Sequence, residues 1–229
     1  MLKECRLELV ASEIVKLPDV ETRHYGAGER LDRDTTQQRT RHVYIRDGAI
    51  GLRVASGRSA SALVEVFGPG RLLSPRLWET KPGLEMESRY ATALVPTTTL
   101  ELPADVFERA VAAHPPLALA LASGDVSRCA ASLDRLAMLA QRDPLRRVAH
   151  TVLLLLERFS GDNGSAPSAQ LLVGQELIAG FASLSRQTTN RQLRRLARAG
   201  VAAVKRRAVD VRDLGALRGV AGGRRSLGR

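Results

Sequence analysis

The sequence predicts an α+β chain: an antiparallel β unit first, then a long helix, then a compact basic module of short helices with a β ribbon. Three observations predict it. Short β-prone runs broken by turn residues fill residues 23–103. After Pro103 the apolar period changes from that of a strand to that of a helix. The charge is also lopsided: of a formal +11 at pH 7, +10 falls in residues 174–229, where thirteen Lys and Arg face three acids. A nearly neutral body with a cationic end predicts a nucleic-acid or anionic-membrane partner at that end.

Composition excludes several classes. With 44% hydrophobic and 26% charged residues, the 229-residue chain is globular rather than disordered. Two cysteines, Cys5 and Cys129, rule out a disulfide scaffold and a cysteine-ligated zinc or iron–sulfur site built by one chain. The longest aliphatic block, Val152–Leu156, is closed by Glu157 and falls far short of the roughly 20 residues of a membrane span. Met1–Val10 carries charges where a signal peptide needs an apolar core. The expectation is a soluble, cytoplasmic protein with no membrane partner and no metal site.

In the β unit, His42–Arg46, Ala49–Ala55, Ala62–Phe67, Tyr90–Val95 and Thr98–Leu102 read as strands. Asp47-Gly48 between two of them reads as a hairpin. Strands at this spacing predict an antiparallel sandwich or roll over residues 1–113. Residues 71–88 have no clean period and read as an ordered loop or short helix. Ala104–Ala113 is a short helix, and Pro115-Pro116 suits the first turn of the next. Along Leu117–Ala140, steps of four and three link Ala122, Val126, Cys129, Leu133, Leu136 and Ala140, with Asp125, Arg128, Asp134 and Arg135 beside them. That is a two-stranded seam, so residues 114–142 are expected to form a dimerisation helix and hinge. Leu119, Leu121 and Leu139 supply a second apolar face toward the β unit.

Residues 143–229 form the basic module. Asp143-Pro144 caps and starts a helix to Phe159, and Gly161–Ser168 is a linker by composition. Gln175–Ala182 is a short helix carrying Leu177, Ile178 and Phe181. Ser183-Leu184 turns the chain and Ser185 caps a second helix, Arg186–Ala199, which Gly200 stops. On it Thr189, Leu193 and Leu196 face inward, whereas Arg186, Gln187, Asn190, Arg191 and Arg194 face outward. Val201–Lys205 and Ala208–Arg212, joined through Arg206-Arg207, read as a two-stranded wing, and Asp213 caps a last helix. By spacing this is a winged helix-turn-helix, whose second helix enters the DNA major groove. Its first side chains have the chemistry to read base edges, whereas Arg194, Arg195, Arg198 and the wing cations suit phosphates.

With these parts in place, residues 20–220 resemble the family of the cyclic-AMP receptor protein and the fumarate–nitrate regulator. The most specific stretch is Ile178–Leu196 (IAGFASLSRQTTNRQLRRL), similar to that family's "LAxLLGxSRETVxRxLxxL". Gly48, the FGPG of Phe67–Gly70 and Arg146–Leu156 match family positions too. The resemblance implies a cyclic-nucleotide-binding-like jelly roll, a homodimer on inverted-repeat double-stranded operators, and contact with RNA polymerase. It implies base readout by Arg186, Gln187, Asn190 and Arg191. Backbone contacts would come from Ser185, Thr188, Arg194, Lys205, Arg206 and Arg207. Where most of the family has Glu, this chain has Gln187. A carboxylate accepts only, suiting the cytosine amino group, whereas Gln donates and accepts, suiting adenine.

The β-roll departs further. Cyclic-nucleotide binders carry Gly-Glu after the GPG stretch and Arg-Ser-Ala later, but this chain has Ser74-Pro75 and Glu87-Ser88-Arg89. Glu87 would repel the cyclic phosphate and Pro75 removes an amide donor, so control by cyclic AMP is not expected, and no cofactor is. Other effectors are heme on one of His24, His42, His114 or His150, a redox change at Cys129, or an anion near Arg76, Lys81, Arg89 and Trp78. A competing reading is a non-specific architectural DNA binder, which needs the cations but not the ordered start of the second helix. No phosphate loop, metal-ligand spacing or activated nucleophile marks an enzyme.

Overall fold

The computed structural model describes residues 12–31, 41–56, 60–74, 87–159 and 169–227. These fall into two compact units, one up to Ala130 and one from Ala131 onward. Of the loop or short helix expected at 71–88, residues 75–86, with Pro75, Arg76, Trp78 and Lys81, lie outside the described residues, as does the linker at 161–168. The described ends of 71–88 are strand instead, at Leu72–Leu73 and from Glu87.

The first unit contains α1 (residues 12–15), β1 (Glu21–Tyr25), β2 (Arg41–Asp47), β3 (Ile50–Ser56), β4 (Ala60–Phe67) and β5 (Leu72–Leu73). It continues through β6 (Glu87–Ala93), β7 (Thr97–Pro103), α2 (Ala104–Ala113) and the start of α3 (Pro115–Leu139). The strands form two antiparallel sheets, ordered β1-β7-β2-β5 and β4-β3-β6. Side chains alternate across each strand. Val43 and Ile45 therefore point between the sheets, meeting Ile50, Leu52, Phe67 and Ala91. Tyr44, Leu100 and Leu102 point the other way, onto Ile14, Phe107, Ala110, Leu117 and Ala120.

Asp47-Gly48 does not close a hairpin. β2 pairs with β7 and β5, whereas β3 pairs with β4 and β6. The chain thus changes sheets at Gly48, and it changes sheets again at Pro96 between β6 and β7. The two crossings press on each other. Gly48 has φ +88°, and a Cβ there would lie 2.5 Å from both the Pro96 carbonyl oxygen and Thr97 Oγ1. Ala49 N–H donates to Thr97 Oγ1 at 3.1 Å, so a side chain serves the corner where a hairpin would use a backbone bond.

The inner face of the first sheet also carries a buried carboxylate. Glu101 pairs with Val43 in register and shares its inward side. Tyr25 OH donates to Glu101 Oε1 at 2.5 Å, Thr99 Oγ1 donates to it at 3.2 Å, and Arg23 Nε lies 3.5 Å from Oε2. Burial, then the Glu101 carboxylate, push the Tyr25 phenol well above its usual range.

The second face of α3 differs from expectation. Leu117 and Ala120 pack on the roll with Leu121 beside them, whereas Leu119 is 67% exposed. One turn of helix separates 117 from 120 and 121, which places 119 on the far side.

The second unit contains the end of α3, then α4 (Pro144–Phe159), β8 (Ala169–Leu171), α5 (Gln175–Ala182) and α6 (Arg186–Arg198). It closes with β9 (Ala202–Lys205), β10 (Ala208–Val211) and α7 (Leu214–Ala221). Asp143 Oδ1 accepts from Leu145 N–H at 2.9 Å, starting α4 as its Asp-Pro sequence predicts. Leu145, Val148, Ala149, Val152 and Leu155 line the buried side of α4, against which α5, α6, α7 and β8 pack. Arg135, which the seam reading places at a flank, turns into this unit instead. Its Nη2 donates to the Phe181 carbonyl at 3.3 Å and its guanidinium lies 4.5 Å over the Phe181 ring. The wing has three strands, ordered β8-β10-β9, rather than two. The added strand is three residues beside a Gly/Ser-rich stretch, too short to show a period of its own.

Candidate nucleic-acid interface

The helix pair α5–α6 is held by apolar residues at helical spacing. Ile178, Phe181, Leu193 and Leu196 are fully buried, each contributing about 1.5–3 kcal/mol. The turn between them is tight. Ser183 takes the left-handed conformation (φ 51°, ψ 46°), and its N–H meets the last carbonyls of α5. Glycine is the residue that adopts this geometry without strain, and the family segment quoted above has glycine here. Leu184 N–H donates to the Ala179 carbonyl at 3.0 Å, completing the helix stop.

Ser185 caps α6 as its position predicts. Its Oγ accepts from Thr188 N–H at 3.1 Å and donates to Thr188 Oγ1 at 2.9 Å. The Ser185 proton is thereby used internally, whereas Thr188 keeps its own hydroxyl proton to offer outward. Arg186, Gln187, Arg191 and Arg194 are exposed and Asn190 is half-buried, whereas Thr189, Leu193 and Leu196 are buried. The uncovered face is therefore polar and cationic from the first residue of the helix.

Two features escaped the sequence. Gln192, on the same helix, is buried and its Oε1 accepts from Arg195 Nη1 at 3.0 Å. Arg195 also donates through Nη2 to the Leu227 carbonyl at 2.9 Å. Arg195 thus fastens the segment after α7 to α6 rather than facing outward as a phosphate contact. No local pattern around Arg195 signals this, because its partner lies 32 residues away.

Arg186 is not free either. Its Nη1 lies 2.9 Å from Glu176 Oε1 in the first turn of α5, both side chains being well exposed. On the wing, Lys205 Nζ lies 2.7 Å from Asp210 Oδ2. The Lys205 ammonium, helped by Gln170, holds the Asp210 carboxyl below its usual range. Arg206 and Arg207 are exposed at the turn between β9 and β10.

A second uncovered face runs along α3. Val126, Leu133 and Leu136 are 71%, 65% and 61% exposed, and Ala122, Cys129 and Ala140 are exposed too. Leu119 extends the same three-and-four spacing by one step, giving an apolar row that is exposed among the described residues. Cys129 is an exposed free thiol within that row.

Among the described residues, no three His, Cys, Asp or Glu side chains cluster as a metal set. His24 meets Thr98 Oγ1, His42 stacks on Phe107, His114 meets the Ala110 carbonyl, and His150 meets Gln141. Arg89 is exposed on β6. Among the described residues of the roll, Glu101 is a buried carboxylate that accepts from Tyr25 and Thr99 and faces Arg23. No helix among the described residues is long and apolar enough to cross a membrane.

Residues 146–220 match the sequence profile of the Crp-like helix-turn-helix domain. No curated protein is recognisably similar in sequence. The fold is similar to that of solved Crp/Fnr-type regulators. A cyclic nucleotide-binding domain containing protein from Listeria monocytogenes superposes with TM-score 0.73 at 15% identity, over 92% of this chain and 99% of its own. FixK2 from Bradyrhizobium japonicum gives 0.69 at 16% identity, over 88% and 96%. A CRP/FNR-family transcriptional regulator from Thermus thermophilus gives 0.62 at 18% identity, over 91% and 100%. The chain thus carries a Crp-like helix-turn-helix domain within a fold similar to that of solved Crp/Fnr regulators.

Proposed function

From a Crp-like DNA-binding domain on a Crp/Fnr fold, we propose that this protein is a homodimeric, sequence-specific transcription regulator that works in the cytoplasm without cyclic AMP. The observation that carries the reading is α6 itself. It is a capped helix whose uncovered face begins with Arg186 and Gln187 and continues through Asn190 and Arg191. Arg186 and Arg191 suit guanine O6 and N7, and Gln187 suits adenine N6 and N7. Thr188, Arg194, Arg206 and Arg207 suit phosphates, as does Lys205 once it leaves Asp210. Ser185 acts through the cap rather than by touching DNA.

The apolar row of α3 supports the dimer: in a two-stranded seam these residues would alternate as facing positions. Two such protomers would read half-sites one helical turn apart, about 34 Å, in an inverted repeat. RNA polymerase is the partner such a regulator would meet at a promoter.

Selection of binding sites from random DNA duplexes tests the specific reading against a merely architectural one. The expected result is an inverted repeat, with Gln187→Glu changing the preferred base at one pair per half-site by about 1–3 kcal/mol. Recovery of no consensus, with equal binding to scrambled competitor, contradicts the proposal.

A further inference from the structure

Three acids lie among the thirteen cations of residues 174–229, and two have clear structural posts. Asp213 Oδ1 accepts from Ala216 N–H at 2.7 Å and caps α7. Asp210 bridges Lys205 and Gln170 inside the wing. The third, Glu176, spans from α5 to α6 and touches the first outward-facing side chain of the recognition helix. A carboxylate there is unfavourable for binding a phosphate backbone, so its placement against Arg186 calls for a gain elsewhere.

We propose that Glu176 is a positioning residue that holds the Arg186 guanidinium for a guanine edge and away from phosphates, making base selection sharper at the expense of raw affinity. The inference rests on the reading of Arg186 as a base contact. Arginine has five N–H donors in a rigid fork. The bond to Glu176 occupies Nη1 on one side, leaving enough donors for a bidentate contact with O6 and N7. An unpaired arginine at this position would sample many rotamers and settle on the nearest phosphate. Pairing reduces the ordering needed on binding a base, while the negative charge disfavours the phosphate-only mode, a repulsive element of the kind that separates right from wrong partners.

Glu176 also sits in the first turn of α5, where an acid stabilises the helix dipole. The test must therefore read base preference and not stability alone. Sites are selected from random DNA duplexes with the wild-type protein, Glu176→Ala, Glu176→Gln and Arg186→Ala. Affinity for the selected and a scrambled duplex is then measured across a salt series. The pair read by Arg186 is the one whose enrichment disappears in Arg186→Ala.

In Glu176→Ala, enrichment at that pair should fall about fivefold, the scale of an exposed ion pair, while other positions hold. Binding to the scrambled duplex should tighten, with the salt slope steeper by about 0.9 per subunit. Glu176→Gln, which still accepts a hydrogen bond but lacks the charge, should fall between. Unchanged enrichment at that pair in both Glu176 variants overturns the proposal. So does a uniform loss at every position, which marks Glu176 as a helix stabiliser only. If Arg186→Ala erases no position, the reading of Arg186 fails first, and the role of Glu176 falls with it.

Discussion

α3 and α6 each present a face that is exposed among the described residues, and the two faces are opposites. Along α3 the uncovered side is Leu119, Ala122, Val126, Cys129, Leu133 and Leu136, apolar throughout. Along α6 it is Arg186, Gln187, Arg191 and Arg194, with no aliphatic side chain among them. Water penalises the first and tolerates the second, so the first calls for another apolar surface and the second for an anionic, hydrogen-bonding one. The lesson is that an uncovered face states the chemistry of its occupant even when the occupant is absent.

The largest test breaks the apolar face. Val126→Glu combined with Leu133→Glu should leave a monomer in sedimentation and weaken binding to the selected operator by about 10²–10⁴-fold, the loss expected when two linked contacts become one. The wild-type seam should also cross-link through Cys129 under mild peroxide, a band on a non-reducing gel that Cys129→Ser abolishes. A stable dimer in the double variant would assign the row of α3 another role.

Next come paired changes on the cationic face. Arg191→Ala should cost about 1–3 kcal/mol on the selected site and little on scrambled DNA. Arg194→Ala should weaken both alike and lower the salt slope by about 0.9 per subunit. Equal effects of the two would erase the division between readers and phosphate contacts.

A smaller effect concerns the seat of α6. Ser183→Gly should relieve the left-handed strain at the turn and stabilise the second unit by about 0.5–1 kcal/mol, seen as a few degrees in a thermal melt. The mildest concerns the frame behind α6. Burial, with Arg146 nearby, holds the His150 ring below its usual range against the pull of Asp134. An unfolded chain then binds the proton more readily than the folded one. Stability is accordingly full above about pH 6.5 and declines as pH falls through that value. His150→Asn should flatten that part of the pH–stability curve; an unchanged slope would remove His150 from the account.

The sequence carried the second unit well because its signals are local. Asp143, Ser185, Asp213 and Gly200 each act within a few residues, and the structure has each helix start or stop where they predict. The apolar triplet of α5 and the inward side of α6 follow from helical spacing alone. What escaped depends on partners far along the chain. Asp47-Gly48 has the composition of a hairpin, but Thr97, 48 residues from Ala49, makes it a corner. Arg135 and Arg195 read as surface cations until Phe181 and Leu227 take them up. Glu176 gave no signal because its partner is ten residues away on another helix.

The position of β1 in its sheet has a consequence for how the chain acquires its structure. Its partner in the ladder is β7, so that Glu21 pairs with Glu101 and Tyr25 with Thr97, and the Tyr25–Glu101 bond spans 76 residues. Closing so long a loop is entropically costly before any contact rewards it. During synthesis β1 must wait, unpaired with β7, until that last strand of the roll has emerged. The roll therefore completes its first sheet late, with an open edge exposed to wrong pairing in the interval. The second unit has a wait of its own, since α4 packs on α7 and Arg146 Nε meets the Ala221 carbonyl 75 residues on.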